Sequence, residues 1–496
     1  MIKWGSCLVK IPPEGRSNFP SSLASIFEQA SATHLSNQAI LPLLPHPCSL
    51  YNTVMYPSDV IIIGGGPGGT RAAKRLALAG KKVVLIADDI GGECLNFGCI
   101  PTKTYLWTAE LFEKISNAAT FGIDVGAPQL NWQKMKARQT DVVSKLKKGL
   151  RFITEKAGAK ILEGRGELQD AHTVKFTSTS GAVETLQAEF IILATGSSAF
   201  LPEGFSVNNK VVTNREILDL PEVPKTLLVV GSGAVGVEFA SIFHVLGSKV
   251  TVAEMHDRLL LTEDHDVSAE MERLFLRRGI EILKNTKIGP EQAENYDVVL
   301  VATGRKPQID GIGLEAAGVT YEKRGVTTND TMQTNVPNIF AIGDLAGKAL
   351  LAYTAEREAD IAAETILGQK SEPLNYSVVA NTIFSLPEVS SVGLTEAKAK
   401  EKNIPYIVGK GAASTNAKAL ILGSRDGFAK IIAEKSSHKI LGIHMIGERV
   451  TELVAEASLA ISMDMTLENF SRNIHSHPIL GEIIKDACEA ALFTDK

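Results

Sequence analysis

Two cysteines, Cys94 and Cys99, are separated by four residues in Gly91-Gly92-Glu93-Cys94-Leu95-Asn96-Phe97-Gly98-Cys99-Ile100-Pro101-Thr102-Lys103. Positions four or five apart in one helical turn lie close enough for a disulfide. Pro101 suits a first helical turn, where its missing N–H is not needed. A helix N-terminus at Cys99 would stabilise a thiolate there. Zinc would need two more soft ligands, and the chain has no second closely spaced pair. The remaining cysteines are Cys7, Cys48 and Cys488, and five in 496 residues do not make a secreted disulfide framework. The pair therefore points to a redox-active dithiol.

A dithiol needs an electron partner, and an internal repeat suggests two. The apolar run Val60–Ile63 leads into Gly64-Gly65-Gly66-Pro67-Gly68-Gly69, a helix to about Ala79, a stop at Gly80 and a strand over Lys82–Ala87. The same order returns 167 residues later, with Leu227–Val230, Gly231-Ser232-Gly233-Ala234-Val235-Gly236, a helix to Leu246, a stop at Gly247 and a strand to Glu254. One GxGxxG is weak; two, each between a strand and a helix, are strong. In each, the first glycine (Gly64, Gly231) permits the turn. The second (Gly66, Gly233) lets backbone approach a pyrophosphate, and the third (Gly69, Gly236) lets helix pack on strand. The helix N-terminus offers free N–H groups to the phosphates. A tightly held flavin and an exchangeable nicotinamide fit two such units, because a flavin relays electrons between a hydride donor and sulfur.

An acid should close the second strand of each unit and accept from a ribose hydroxyl. In the second copy Glu254, 23 residues after Gly231, favours NAD over NADP, with only Arg258 nearby to oppose it. In the first copy the same offset falls on Ala87, and Asp88, one residue later, is the candidate replacement.

The segment GGECLNFGCIPTK resembles the redox signature of the class I pyridine nucleotide-disulfide oxidoreductases, the flavin disulfide reductase family, and within it the dihydrolipoamide-oxidising branch. Further motifs follow in family order from about Tyr56 to the C-terminus. Ala194-Thr195-Gly196 and Ala302-Thr303-Gly304-Arg305 resemble the strand ends that link the two nucleotide domains. Ile339-Phe340-Ala341-Ile342-Gly343-Asp344 resembles the second flavin motif. Phe384–Leu394 resembles the opening of the dimerisation domain, and His475-Ser476-His477-Pro478-Ile479-Leu480-Gly481-Glu482 its catalytic end.

The resemblance implies roles residue by residue. Cys94 would exchange disulfides with substrate, and Cys99 would face the flavin as a charge-transfer thiolate. Lys103 would lie near the reactive flavin nitrogen, paired with Glu238. Thr195, Gly196 and Asp344 would help hold FAD, with Asp344 on the ribityl chain, and Gly304 would serve the nicotinamide side. His477, from the second subunit of a homodimer, would be the general base, oriented by Glu482. An imidazole held by a carboxylate is a base matched to thiol chemistry. The implied activity is oxidation of protein-bound dihydrolipoamide to lipoamide, with electrons passing through the cysteine pair and FAD to NAD. A lipoyl-bearing acyltransferase of a 2-oxoacid dehydrogenase complex is the implied partner.

The expected architecture is α/β: two Rossmann-like dinucleotide-binding domains and a C-terminal α+β dimerisation domain. Residues 55–196 and 327–372 would bind FAD, 197–326 NAD, and 373–496 would dimerise. Residues 1–54, rich in Ser and Pro, read as a disordered extension or a misassigned start ahead of Met55. They lack the apolar core of a secretory signal and the arginines of a mitochondrial presequence. The cytoplasm is the expected compartment, with the mitochondrial matrix as the alternative if they are a presequence.

A net charge of −5 without basic runs shows no footprint for nucleic acid, and no apolar run reaches a membrane span. No metal site is expected. Within the enzyme class, a glutathione-type reductase usually carries Val and Lys where this chain has Ile100 and Thr102. A mercuric-type reductase needs a C-terminal cysteine pair, and a soluble transhydrogenase lacks the redox pair. A flavin-binding scaffold would not require Cys94, Cys99, His477 and Glu482. His475 and His444 are expected to pack or assist. Two departures bear on substrate: Ile479 replaces the usual Thr, and Glu93 would raise the Cys94 pKa if close and desolvated.

Overall fold

The computed structural model describes residues 56–494, so the expectations for residues 1–54, Cys7 and Cys48 lie outside the described residues. The first layer begins with β1 (Ser58–Ile63), α1 (Pro67–Leu78) and β2 (Val83–Ala87). Both strands are continuous apolar runs because both faces are covered. α2 (Gly92–Phe97), α3 (Cys99–Ser116) and α4 (Trp132–Lys156) follow, then β3 (Lys160–Leu168), β4 (Thr173–Ser178) and β5 (Val183–Leu193). The long strands serve two sheets. The first half of β3 and the last half of β5 run parallel to β2 and β1, while their other halves form an antiparallel meander with β4. The switch in β3 falls at Gly164, whose φ of +150° and close approach to the Thr177 carbonyl exclude a side chain.

The second layer repeats the first. Short strands β6 (Ser197–Ala199) and β7 (Val211–Val212) lead to β8 (Thr226–Val230), α5 (Ala234–Val245), β9 (Lys249–Ala253), α6 (His265–Arg278), β10 (Glu281–Leu283), α7 (Pro290–Ala293) and β11 (Val298–Val301). The sheet β10-β9-β8-β11-β7 is parallel throughout. β12 (Arg305–Pro307) pairs antiparallel with β6, so the two chain crossings between layers lie side by side. After the hairpin β13 (Tyr321–Glu322) and β14 (Gly325–Val326), β15 (Ile339–Ala341) joins the first sheet beside β5, and α8 (Ala352–Ile366) packs against α1.

The last layer is an antiparallel sheet of β16 (Asn381–Ile383), β17 (Glu388–Gly393), β18 (Tyr406–Ala412), β19 (Phe428–Glu434) and β20 (Ile440–Gly447), in the order β16-β17-β20-β19-β18. Two short helices, α9 (Glu396–Glu401) and α10 (Ala417–Ile421), punctuate it. α11 (Val450–Ser462), α12 (Leu467–Ser471) and α13 (Glu482–Thr494) cover it, burying Val454, Ala457, Ile484, Ala487 and Cys488. The apolar stripe of Glu452–Ile461 and the buried Cys488 are therefore core features. No helix among the described residues is long and apolar enough to cross a membrane.

Candidate active site

The cysteine pair straddles a break between two helices. α2 carries Cys94 and ends at Phe97. Gly98, at φ −131° and ψ −103°, leaves the helical region, and Cys99 opens α3. The spacing predicts a single helical turn; Gly98 divides it, and the sulfurs sit on successive helices. Cys99 thus lies at a helix N-terminus, where free N–H groups favour a thiolate. Pro101 occupies the third position of α3, where no N–H is required.

The two sulfurs hold protons unequally. A hydrogen bond from Cys94 and the positive charge of Lys103 bring Cys99 down to about 7, against opposing burial. The same hydrogen bond, with burial, pushes the Cys94 thiol well above its usual range. One turn along α3, Lys103 Nζ donates to Glu238 Oε1 and Oε2 at 2.8 and 2.7 Å. Glu238 is 4% exposed on α5 and also accepts from the Phe384 N–H at 2.9 Å, while Lys103 lies 4.8 Å from the Phe384 ring centre.

Glu93 is close to Cys94 in the chain but is not a bare charge. Arg215 Nε donates to Oε2 at 3.0 Å and Asn214 Nδ2 to Oε1 at 2.8 Å, and an Arg305 nitrogen lies 3.3 Å from Oε1. These partners hold the carboxyl below its usual range although burial pushes it up. The expected effect of Glu93 on Cys94 is therefore offset by two guanidinium groups. Arg305 continues the network: its Nε donates to Ser197 Oγ at 2.7 Å, and Ser197 Oγ donates to Asp344 Oδ2 at 2.5 Å. Burial raises the Asp344 pKa despite these partners.

The two glycine loops share one geometry. Gly66 and Gly233 cap α1 and α5 at φ −70° and −71°, and a Cβ on either would meet nothing within 4 Å. A Cβ on Gly69 or Gly236 would fall 1.9 or 2.0 Å from the carbonyl of Gly64 or Gly231. Open space therefore faces each helix N-terminus while helix packs tightly on strand, which fits a dinucleotide phosphate at both. Thr195 and Gly196 follow β5, where Thr195 Oγ1 donates to the Gln308 carbonyl at 2.9 Å; Gly304, at φ +131°, precedes β12.

At the second loop Glu254 is buried. Its Oε2 accepts from Ser232 N–H and Oγ at 3.0 and 2.6 Å, and its Oε1 from His256 N–H at 3.0 Å. Arg258 turns away into its own loop, donating to Glu263 O, Leu261 O and Ser268 Oγ at 2.7 to 2.9 Å. At the first loop Ala87 is buried and Asp88 is exposed, 3.1 Å from Arg165 Nε, beside a cleft of about 530 Å³ lined by Asp89, Lys147 and Arg151.

His477 stands apart on the last layer. Its Nδ1 lies 2.9 Å from Glu482 Oε1, Glu482 Oε2 accepts the Ile479 N–H at 3.1 Å, and the imidazole is 71% exposed. The hydrogen bond from His477 holds Glu482 below its usual range. His475 Nε2 lies 3.0 Å from Glu456 and the ring packs on Phe470; buried His444 pairs with the Leu394 carbonyl at 2.9 Å. Both side chains are thus packed against, and paired with, their own layer. Among the described residues no group of His, Cys, Asp and Glu is arranged to hold a metal. Residue-by-residue reading did not single out Asn214, Arg215 or Ser197, which carry no motif. Arg305 sits in the ATGR segment and was within reach.

Comparison with known proteins gives the same reading. Residues 58–359 match the pyridine nucleotide-disulphide oxidoreductase family, and 379–488 match its dimerisation domain. The chain is 38% identical over 454 residues to the dihydrolipoyl dehydrogenase of Chlamydia muridarum, covering 88% of this chain and 97% of that one. It is 37% identical over 464 residues to that of Bacillus subtilis, covering 87% and 98%. The crystal structure of LpdA from Mycobacterium tuberculosis superposes with a TM-score of 0.81 at 26% identity, covering 87% of this chain and 99% of that one. RclA of Escherichia coli, an HOCl-induced flavoprotein disulfide reductase, gives 0.78 at 25%, covering 87% and 99%. With two domain matches that span its described length, this chain belongs to the pyridine nucleotide-disulphide oxidoreductase family.

Proposed function

We propose that the protein oxidises dihydrolipoamide to lipoamide and passes the electrons to NAD. The observation that carries the reading is the Cys94–Cys99 pair at the α2–α3 break, with its unequal proton affinities. The names of its relatives support dihydrolipoamide as the dithiol. A flavin held between Gly66, Asp344 and the redox helices would supply the two-electron link between the sulfurs and the nicotinamide. Gly64, Gly66 and Gly69 would carry its pyrophosphate, with Thr195 and Gly196 alongside. Asp88 remains the candidate for the adenosine ribose and would have to leave Arg165 to reach it. Gly231, Gly233, Gly236, Glu254 and Gly304 would hold NAD.

The protein's own groups then divide the sulfur chemistry. His477 takes a proton from one substrate thiol, and Glu482 stabilises the resulting imidazolium. The substrate thiolate attacks the Cys94 sulfur of the enzyme disulfide, and Cys99 leaves as thiolate. A thiol that ionises near 7 leaves more readily than one raised by burial, so attack at Cys94 is the favoured direction. The second substrate thiol closes the substrate disulfide and its proton passes to the released Cys94 sulfur, while the first proton stays on the His477 imidazolium, opposite the Cys99 thiolate.

His477 and Glu482 face solvent at the surface of the dimerisation domain, which supports their service to a second copy's cysteines in a homodimer. An acyltransferase core carrying lipoyl groups is the partner such an enzyme would serve. Five cysteines in 496 residues, too few for a structural disulfide framework, fit a reducing compartment such as the cytoplasm. The test is steady-state turnover of purified protein with NAD⁺ and dihydrolipoamide, beside NADH or NADPH with glutathione disulfide and mercuric ion. Fast turnover of dihydrolipoamide is expected. Fast turnover of another oxidant with none of dihydrolipoamide would replace the reading.

A further inference from the structure

α2 carries the substrate-facing cysteine, yet only Leu95 of its six residues is buried. Apolar packing holds it weakly, and the remainder of its anchorage is polar. Both ends are gripped by two consecutive residues from the segment after β7. Asn214 Nδ2 donates to the Glu93 carboxylate at 2.8 Å and to the Phe97 carbonyl at 2.9 Å. Arg215 donates to the other Glu93 oxygen and lies over the Phe97 ring, 4.5 Å from its centre. Arg305, on the second crossing between the layers, closes the set at 3.3 Å from Glu93.

We propose that Glu93, Asn214 and Arg215 form a clamp that holds the Cys94 helix to the nicotinamide-side segment, and that the Glu93–Arg215 pair balances charge so as to set the proton affinity of the reduced cysteine pair. Glu93 and Arg215 are positioning residues, acting through α2 rather than on substrate. This rests on the redox reading of Cys94 and Cys99.

The charged and titratable groups around the pair come from several elements. Lys103 on α3 and Glu238 on α5 form one neutral couple, and Tyr353 near the start of α8 faces Cys99. Asp344, Arg305, Glu93 and Arg215 form the other set. Removing Glu93 alone leaves Arg215 and Arg305 uncompensated, which favours thiolate. Removing Arg215 alone frees part of the negative charge, which disfavours it. Removing both restores the balance. A carboxylate beside the exchange cysteine is thus tolerated because a guanidinium was placed against it.

The experiment uses the full-length protein reduced with NADH. Iodoacetamide alkylation of the reduced pair is followed against pH, with each cysteine resolved by peptide mass. Glu93→Gln should move the midpoint to lower pH and Arg215→Gln to higher pH, each on the order of half a pH unit. The double variant should return to within a few tenths of the parent. Arg215→Lys, which keeps the charge, should also stay near the parent value. Arg215 is exposed, so its variants should fold, and retained flavin absorbance checks this. Shifts of both single variants in one direction, or no shift in either, would overturn the charge balance. If NADH fails to reduce the parent pair, the redox reading itself falls, and with it the clamp.

Discussion

Lys103 Nζ donates to both oxygens of Glu238, at 2.8 and 2.7 Å, and so joins the helix that begins at Cys99 to the helix that begins at the second glycine loop. Glu238 is the more deeply buried partner. Removing Lys103 leaves a buried carboxylate without its counter-ion, which costs roughly 3 kcal/mol when one member of such a pair is lost. Lys103→Met should therefore lower the denaturation midpoint markedly, while Lys103→Met with Glu238→Leu should recover much of the loss. Urea unfolding of the three proteins checks this. Equal destabilisation in single and double variants would show that the ion pair carries none of it.

Lys103 also helps hold Cys99 near 7, from an ordinary value of 9.0. This gives the reduced protein a pH-dependent stability with a definite sign. Between about 7 and 9 the folded Cys99 has lost its proton and the unfolded one has kept it, so stability rises with pH. Above about 9 the unfolded Cys94 ionises while the folded one stays protonated, so the rise reverses. The melting temperature of reduced protein should climb by a few degrees from pH 7 to 9, and Cys99→Ser should lose that climb. A pH-independent difference between the two proteins would contradict the assignment of the low value to Cys99.

Glu254 presents a carboxylate to the second glycine loop, while Arg258 spends its donors within its own turn. A ribose 2′-hydroxyl meets an acceptor there, and a 2′-phosphate meets like charge with no cation to offset it. NADH should outperform NADPH in kcat/KM by at least about a hundredfold, roughly 3 kcal/mol of discrimination. Glu254→Gln should raise the KM for NADH about tenfold, the loss of one charged hydrogen bond, and should narrow the gap to NADPH. An unchanged ratio in the variant would remove Glu254 from nucleotide selection.

What the sequence made legible was local chemistry, and what it hid was charge pairing across long stretches of chain. Gly64 and Gly69 are readable because backbone sterics admit little else there, and Gly231 and Gly236 repeat the rule; Gly66 and Gly233 are readable by their place between them, facing open space that a phosphate would fill. The cysteine spacing pointed to a close pair, but the division at Gly98 depends on a φ/ψ choice that glycine leaves open. Glu93 was read as a lone charge because its partners lie 121 and 122 residues away, at Asn214 and Arg215. Nothing in local periodicity marks those two residues. The orientation of Arg258 was hidden for a related reason: a flexible side chain next to a nucleotide site can face the ligand or its own backbone, and only the folded loop decides.

His477 and Glu482 form a hydrogen-bonded pair on the surface of the last layer, with the imidazole open to solvent. As the base proposed above, His477 would serve a disulfide that a second chain brings to it. That arrangement has an arithmetic consequence. A dimer made from one Cys94→Ser chain and one His477→Ala chain has one site with neither cysteine nor base and one site with both intact. Each variant alone should be nearly inactive in dihydrolipoamide oxidation. After subunit exchange, random pairing makes half the dimers mixed, and each mixed dimer has one working site of two, so activity should recover to about a quarter of the parent. Recovery would follow the slow exchange of subunits and would fail if the chains were crosslinked beforehand. If base and cysteines served within one chain, every mixed dimer would stay dead, and no recovery would be seen at any mixing ratio.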